Sequence, residues 1–133
     1  VAVIGVGIDL VEIARAERML ARKGEQPLIR LLTPGERRYV EAREHPARHF
    51  AARFAAKEAV YKALQGLPGA RGIGWRDIEV VSGDAGRPHV ELHGLARELA
   101  EATGGVRLHL SLSHTDLTAA AVVVAETCED REA

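Results

Sequence analysis

The sequence predicts an α+β fold, with a mainly antiparallel sheet packed against one long helix. The apolar pattern alternates between period 2 and helical spacing, in the order strand, three helices, two strands, helix, two strands. One stretch, residues 50–64, is rich in Ala and straight side chains that favour helix. No repeat, low-complexity tract or composition break divides the 133 residues, a length that suits one domain with its own core.

Residues 2–8 read as the first strand. Ile4, Val6 and Ile8 fall on one face and Gly5, Gly7 and Asp9 on the other. The two glycines clear the second face for close approach of a ligand or another backbone, and Asp9 is expected to end the strand. A helix over residues 11–23 follows, stopped by Gly24. Its Arg15, Arg18 and Arg22, three and four apart, form a basic stripe, while Ile13, Met19 and Leu20 mark the other side. Thr33-Pro34-Gly35-Glu36 is a capping box with Pro at the first helical position, opening a helix to about residue 43. Pro46 opens the long helix, which ends near Gln65-Gly66. After a Gly- and Pro-rich loop over 67–74, strands fit 77–82 and 88–93, turned at 83–86. A short helix covers 95–102. Strand 106–112 alternates, with Val106, Leu108, Leu110 and Leu112 inward and Arg107, His109 and Ser111 outward. The last strand covers 118–125. The expected division is one domain over 1–126 and a polar tail over 127–133.

Composition excludes several classes. A formal charge of −1 gives no basic signature for nucleic acid or an anionic membrane. The apolar N-terminal stretch lacks a basic leader and is interrupted by Asp9 and Glu12, so neither a signal peptide nor a membrane span is expected. The single cysteine, Cys128, cannot form an internal disulfide, which fits a reducing compartment and a cytoplasmic protein. Aromatic residues number five, so the core is built of Val, Leu, Ile and Ala.

The chemistry gathers on the long helix. Phe50, Phe54 and Tyr61 mark its apolar side, and Glu58 and Lys62, four apart, share it. A carboxylate among aromatics is costly to bury unless a cation meets it: either Lys62 or a metal ion. Asp9 and Glu58 together would make a hard, oxygen-only site of the kind Mg²⁺ uses when it also holds phosphates. Taken singly, each feature has a plainer reading. Asp9 before a helix is an N-cap, Glu58 with Lys62 is a solvated helix pair, the arginine stripe is a solvated face, and His114 is a turn residue.

Gly5-Val6-Gly7-Ile8-Asp9-Leu10-Val11-Glu12-Ile13, followed by Arg53-Phe54-Ala55-Ala56-Lys57-Glu58-Ala59 and Lys62-Ala63, resembles holo-acyl-carrier-protein synthase, the short stand-alone class of 4′-phosphopantetheinyl transferase. Residues 75–80, Gly86-Arg87-Pro88 and residues 110–115 extend the resemblance over nearly the whole chain. It implies the fold of that family and a trimer with active sites at subunit interfaces. It implies Mg²⁺-dependent transfer of phosphopantetheine from coenzyme A to a serine of apo acyl carrier protein, releasing adenosine 3′,5′-bisphosphate. Carried over by residue, Asp9 and Glu58 would hold the metal, and Lys62 would contact the leaving phosphate. Glu58 is also the candidate general base. Arg53, His114 and Thr115 would surround the nucleotide, with Gly86, Arg87 and Pro88 near the adenine. Arg15 and Arg22 match family positions that grip the acidic carrier protein, and Arg18, in the same stripe, would face it too. Family members often follow Lys-Ala with a Gly-Thr-Gly turn. Here the loop 64–72 is longer and lacks the Thr, leaving Gly66 as the phosphate-side candidate, with Arg71 adding charge.

Two other functions use the same residues. A Mg²⁺-dependent nucleotide pyrophosphate hydrolase needs the carboxylates but not the arginine stripe. A non-catalytic module binding carrier protein or nucleotide would not need Asp9, Glu58 and Lys62 intact.

Overall fold

The computed structural model describes residues 1–83 and 86–128. In chain order the elements are β1 (Val3–Glu12), α1 (Ile13–Lys23), α2 (Gln26–Leu31), α3 (Pro34–Glu41), α4 (Pro46–Ala63), β2 (Ile78–Ser82), β3 (Pro88–Leu92), α5 (Gly94–Ala102), β4 (Val106–His114) and β5 (Thr118–Thr127). Two short 3-10 turns, Ala70–Gly72 and Trp75–Asp77, carry the chain from α4 to β2. Every strand pairing is antiparallel, but the strands form two sheets: β1-β5-β4 and the hairpin β2-β3.

The helix α4 is the centre of the molecule. It lies across β1 and β5, and its backbone touches theirs through small residues. A Cβ on Gly5 would sit 1.8 Å from the Ala63 carbonyl oxygen, and one on Gly7 would sit 1.8 Å from that of Ala59. The cleared strand face thus receives a helix backbone, not a ligand. Phe50, Ala51, Phe54, Ala55, Ala56, Ala59, Val60 and Ala63 are all buried, so α4 is enclosed on more sides than the stripe of Phe50, Phe54 and Tyr61 suggests.

Two charged residues go into the core with it. The Lys57 ammonium lies 2.5 Å from the Glu36 carboxylate, and neither side chain has any exposure. Lys57 also donates to the carbonyls of Trp75 (2.8 Å) and Ile78 (2.7 Å). Glu36 accepts from the Thr33 and Val80 amides, each at 2.9 Å. The capping box at Thr33 therefore forms as expected, but its carboxylate also joins α3, α4 and β2. Burial lowers the proton affinity of Lys57, and the Glu36 charge opposes that.

Several boundaries differ from expectation. β1 runs on to Glu12, because Leu10 and Val11 continue the alternation and pair with Ala120 and Ala119. Asp9 therefore lies inside the strand, and α1 begins at Ile13 with Glu12 at its N-cap position. Helix α2 fills the expected gap between Gly24 and Thr33, where the sequence pattern shows no helix. Its six residues are too few to show a period, but Pro27 starts the turn and Leu28 and Leu31 are buried. β5 takes in Glu126 and Thr127. Thr127 is buried, its amide donating to the Ala2 carbonyl and its hydroxyl accepting from the Ala2 amide, so it belongs to the sheet and not to a tail. Residues 129–133 and the turn positions Asp84 and Ala85 lie outside the described residues. The β4 alternation stands as expected, with Val106, Leu108, Leu110 and Leu112 half-buried and Arg107, His109 and Ser111 exposed.

Candidate active site

Two groups of functional side chains occupy different parts of the surface. The first forms where β1 meets the second half of α4. The Lys62 ammonium donates to the Asp9 carboxylate (3.1 Å) and to the Ile8 carbonyl (3.0 Å). The ionic partner of Lys62 is thus Asp9 and not Glu58, and Asp9 does not cap α1. Glu58 makes no ion pair among the described residues. Its carboxyl is pushed above the ordinary range by burial first and by the Asp9 charge second, while Lys62 and Arg15 pull the other way. A carboxylate without a salt bridge, whose ionisation a neighbouring carboxylate disfavours, forms with that neighbour a donor set suited to a hard divalent cation. A cavity of about 330 Å³ opens beside Glu58, lined by Tyr61, Ile73, Gly74, Trp75 and Ile78. Trp75 stacks on Phe54, with centroids 5.4 Å apart.

Among the described residues, the one group of three side chains spaced for a metal is elsewhere: Glu79, Glu91 and His93 on the β2-β3 hairpin. Of these, Glu79 and His93 already bind protein. Glu79 accepts from the Thr33 hydroxyl (2.7 Å) and lies 2.9 Å from the His93 ring.

The second group is basic. The Arg53 side chain, 4 % exposed, donates to the Ser82 hydroxyl (3.1 Å), and its Nε has no hydrogen-bond partner. Its guanidinium carbon sits 3.8 Å from the centre of the Tyr39 ring, and that of Arg43 sits 4.0 Å from the same centre. His49 meets Tyr39 edge-on at 5.8 Å. Burial lowers the proton affinity of His49, and the charges of Arg53, Arg43, Arg48 and His114 lower it further, so all five cluster together. The Arg48 Nε is also buried without a partner. Among the described residues, no carboxylate lies in salt-bridge range of Arg43, Arg48 or Arg53. A concentration of positive charge left uncompensated by protein is a site for an anion.

The structure therefore joins some expected residues and separates others. Arg53 and His114 come together, with Thr115 next to His114, where its hydroxyl accepts from the amides of Leu117 and Thr118. Pro88 is the register partner of Ser82, which brings Arg87 and Pro88 to the Arg53 end of the hairpin. Asp9, Glu58 and Lys62 form the other group. Gly66 joins neither: it lies near Ile4, at the opposite end of β1 from Asp9, lining a cavity with Leu67, Pro68, Thr103 and Thr127. Arg71 is exposed in the 3-10 turn beyond α4. Arg15, Arg18 and Arg22 line the exposed side of α1, with the Arg15 guanidinium 5.8 Å from the Phe54 ring centre. Beside them a cavity of about 490 Å³ is lined by Met19, Leu31, Phe54 and Trp75 and edged by Lys23 and Arg30.

The sequence pattern does not single out Tyr39, Arg43, Arg48, His49 or Ser82. Their only sequence signal is the density of basic residues at Arg43, His45, Arg48 and His49 around the start of α4, ahead of Arg53.

Residues 5–122 match the family model described as 4′-phosphopantetheinyl transferase superfamily. A protein named holo-[acyl-carrier-protein] synthase from Alkalilimnicola ehrlichii is 48 % identical over 96 % of this chain and 99 % of its own length. A protein of the same name from Koribacter versatilis is 44 % identical over 93 % of this chain and 98 % of its own. The solved structure described as the Chronobacterium ammoniagenes ACPS-CoA complex superposes with a TM-score of 0.81 at 34 % identity, covering 97 % of this chain and 100 % of that one. The holo-[acyl-carrier-protein] synthase of Neisseria meningitidis gives a TM-score of 0.82 at 31 % identity, over 94 % and 99 % of the two chains.

Proposed function

The chain belongs to the 4′-phosphopantetheinyl transferase superfamily, and from that premise we propose that it is a holo-acyl-carrier-protein synthase acting in the cytoplasm. It moves the 4′-phosphopantetheine group of coenzyme A to a serine of apo acyl carrier protein and leaves adenosine 3′,5′-bisphosphate. The observation that carries this reading is the pairing of an acidic group (Asp9, Glu58, Lys62) with an uncompensated basic one (Arg43, Arg48, Arg53, His114) in one chain.

Asp9 and Glu58 are the residues that would hold Mg²⁺. That ion would neutralise the non-bridging oxygens of the pyrophosphate and so ease attack on phosphorus. Lys62, anchored on Asp9 and the Ile8 carbonyl and still half-exposed, has donors left for the leaving phosphate. Glu58, with its raised proton affinity, is the candidate to take the proton of the serine hydroxyl. Arg53, Arg43, Arg48 and His114 supply N–H donors to the phosphates of the nucleotide, with Arg87, Pro88 and Thr115 around its base. The serine arrives on a carrier protein whose acidic surface meets Arg15, Arg18 and Arg22 beside the apolar groove of Met19, Phe54 and Trp75.

The working form in this reading is a trimer. The outer face of the three-stranded sheet presents Val6, Ile8 and Leu10 at 59 %, 62 % and 63 % exposure, with Val122 beside Ile8. Such a row favours burial against another chain. Assembly then brings the basic group of one subunit to the acidic group of its neighbour.

The test is to incubate the protein with apo acyl carrier protein, coenzyme A and Mg²⁺ and weigh the carrier protein by intact mass spectrometry. The expected result is a gain of one phosphopantetheine, abolished by chelator. Coenzyme A cleaved without gain of mass on the carrier would establish a hydrolase instead. Coenzyme A bound but unchanged would establish a binding protein.

A further inference from the structure

Tyr39 stands out in the basic group because two guanidinium groups share its ring. Arg43 is exposed and Arg53 is buried, yet both guanidinium carbons lie within 4.0 Å of the centre of its ring. Two like charges at one point repel, and neither has a carboxylate in salt-bridge range among the described residues. The electron-rich face of the ring offsets part of that repulsion. It also restricts two long side chains that would otherwise lose rotamer freedom only when an anion arrives. Ser82 fixes Arg53 from the other side through its hydroxyl, and the unpartnered Arg53 Nε remains for a ligand.

Resting on the reading above, we propose that Tyr39 is a positioning residue for coenzyme A. Its ring holds Arg53 and Arg43 in the poses that grip the nucleotide phosphates. The phenol touches no reacting atom, so its contribution belongs to binding and not to the chemical step. It acts chiefly through the ring face, with a hydrogen bond between its phenol and Arg53 beside it, so phenylalanine keeps most of the effect and an aliphatic residue does not.

The experiment compares wild type, Tyr39→Phe and Tyr39→Leu, each shown to be folded by thermal unfolding. Calorimetry with adenosine 3′,5′-bisphosphate is followed by turnover with coenzyme A, apo carrier protein and Mg²⁺. Tyr39→Leu is expected to weaken bisphosphate binding about tenfold and raise KM for coenzyme A by a similar factor, with kcat within about twofold. Tyr39→Phe is expected to stay within about twofold of wild type in all three quantities. Bisphosphate binding by Tyr39→Leu equal to wild type overturns the proposal. So does a Phe variant as weak as the Leu variant, or a fall in kcat with KM unchanged. Should Tyr39→Leu not fold, Tyr39→Gln at this half-exposed position carries the same comparison. Calorimetry needs no carrier protein, so wild type that binds the bisphosphate without transfer sinks the synthase reading and still lets the three proteins decide on Tyr39. Wild type that does not bind it overturns both.

Discussion

Replacing Gly7 by alanine tests the step from sequence to site most directly. The new Cβ would lie 1.8 Å from the Ala59 carbonyl oxygen, 2.7 Å from its carbonyl carbon and 3.1 Å from its Cα, whereas real Cβ contacts essentially never fall under 3.0 Å. All three atoms are backbone, so no rotamer relieves the clash, and α4 must retreat from β1 by more than about an ångström. Overpacking of this kind costs about 3 kcal/mol, of which up to about 1 kcal/mol is returned by the stiffer unfolded chain. The net loss of about 2 kcal/mol, set against an unfolding entropy of about 2.1 cal/mol/K per residue over 133 residues, lowers Tm by roughly 7 °C. The assay is thermal unfolding followed by circular dichroism at one fixed protomer concentration. Gly66→Ala serves as control, since its Cβ would meet nothing nearer than 3.5 Å. Because Glu58 adjoins Ala59 and Asp9 lies two residues beyond Gly7, the same retreat separates the two carboxylates. Turnover by the folded variant is expected to fall about 100-fold. A Gly7→Ala protein with the Tm of the Gly66→Ala control would refute the backbone-on-backbone packing of α4 and β1.

Four further variants address the site and its support. Lys57→Met leaves the Glu36 carboxylate buried without its cation and should cost about 3–5 kcal/mol in urea unfolding, part of it recovered by adding Glu36→Gln. No recovery in the double variant would mean that the two charges are not coupled. Glu58→Gln should abolish Mg²⁺-dependent turnover and yet leave the metal-free protein no less stable near neutral pH. The folded protein holds the Glu58 proton more tightly than the unfolded chain does. Its contribution is therefore complete below the ordinary carboxylate value and is lost as pH rises through the raised one. Thermal unfolding in chelator between about pH 4 and 7 reads this out, and a variant less stable than wild type at the upper end contradicts it. Asp9→Asn should also abolish turnover with the fold intact, since Asp9 is a partly exposed member of the site and not part of the apolar core. Wild-type rates in that variant would remove it from the metal set. Arg15→Glu should raise KM for the carrier protein and steepen its salt dependence, leaving coenzyme A binding unchanged. Equal loss for both substrates would refute the division between the two surfaces.

What could be read from the chain follows the physics of each element. β4 and the β2-β3 hairpin declare themselves by alternation between Gly-rich turns, and α3 by the Thr33–Glu36 box. The local pattern makes β1 look too short, because Asp9 and Glu12 resemble the polar start of a helix, while Leu10 and Val11 are the partners of Ala120 and Ala119 across the sheet. Pairing of that kind is set by residues more than 100 positions away and leaves no mark on the local pattern. The six residues of α2 show too little periodicity to stand out. α4 hid its burial for the opposite reason: a helix enclosed on several sides has no polar stripe to reveal which face is inside, and Lys57 in its middle reads as solvent-exposed until Glu36 arrives from α3.

The same reasoning explains why one half of the candidate site was legible and the other was not. Asp9, Glu58 and Lys62 lie in two segments whose wording is constrained by close packing, because Gly5 and Gly7 must admit the backbone of Ala63 and Ala59. The contact that aligns strand and helix therefore writes a recognisable pattern around the chemistry. The basic group has no such scaffold. Arg43 follows α3, Arg48 and His49 lie in the first turns of α4, and His114 ends β4; their side chains meet through the Tyr39 ring and shared electrostatics, not through packed backbone. Long cations reaching a common point can start from many positions, so their spacing carries little information. That freedom is also why a fixed platform such as Tyr39 matters: without it the charge would be present, but its geometry would have to be organised anew for each bound nucleotide.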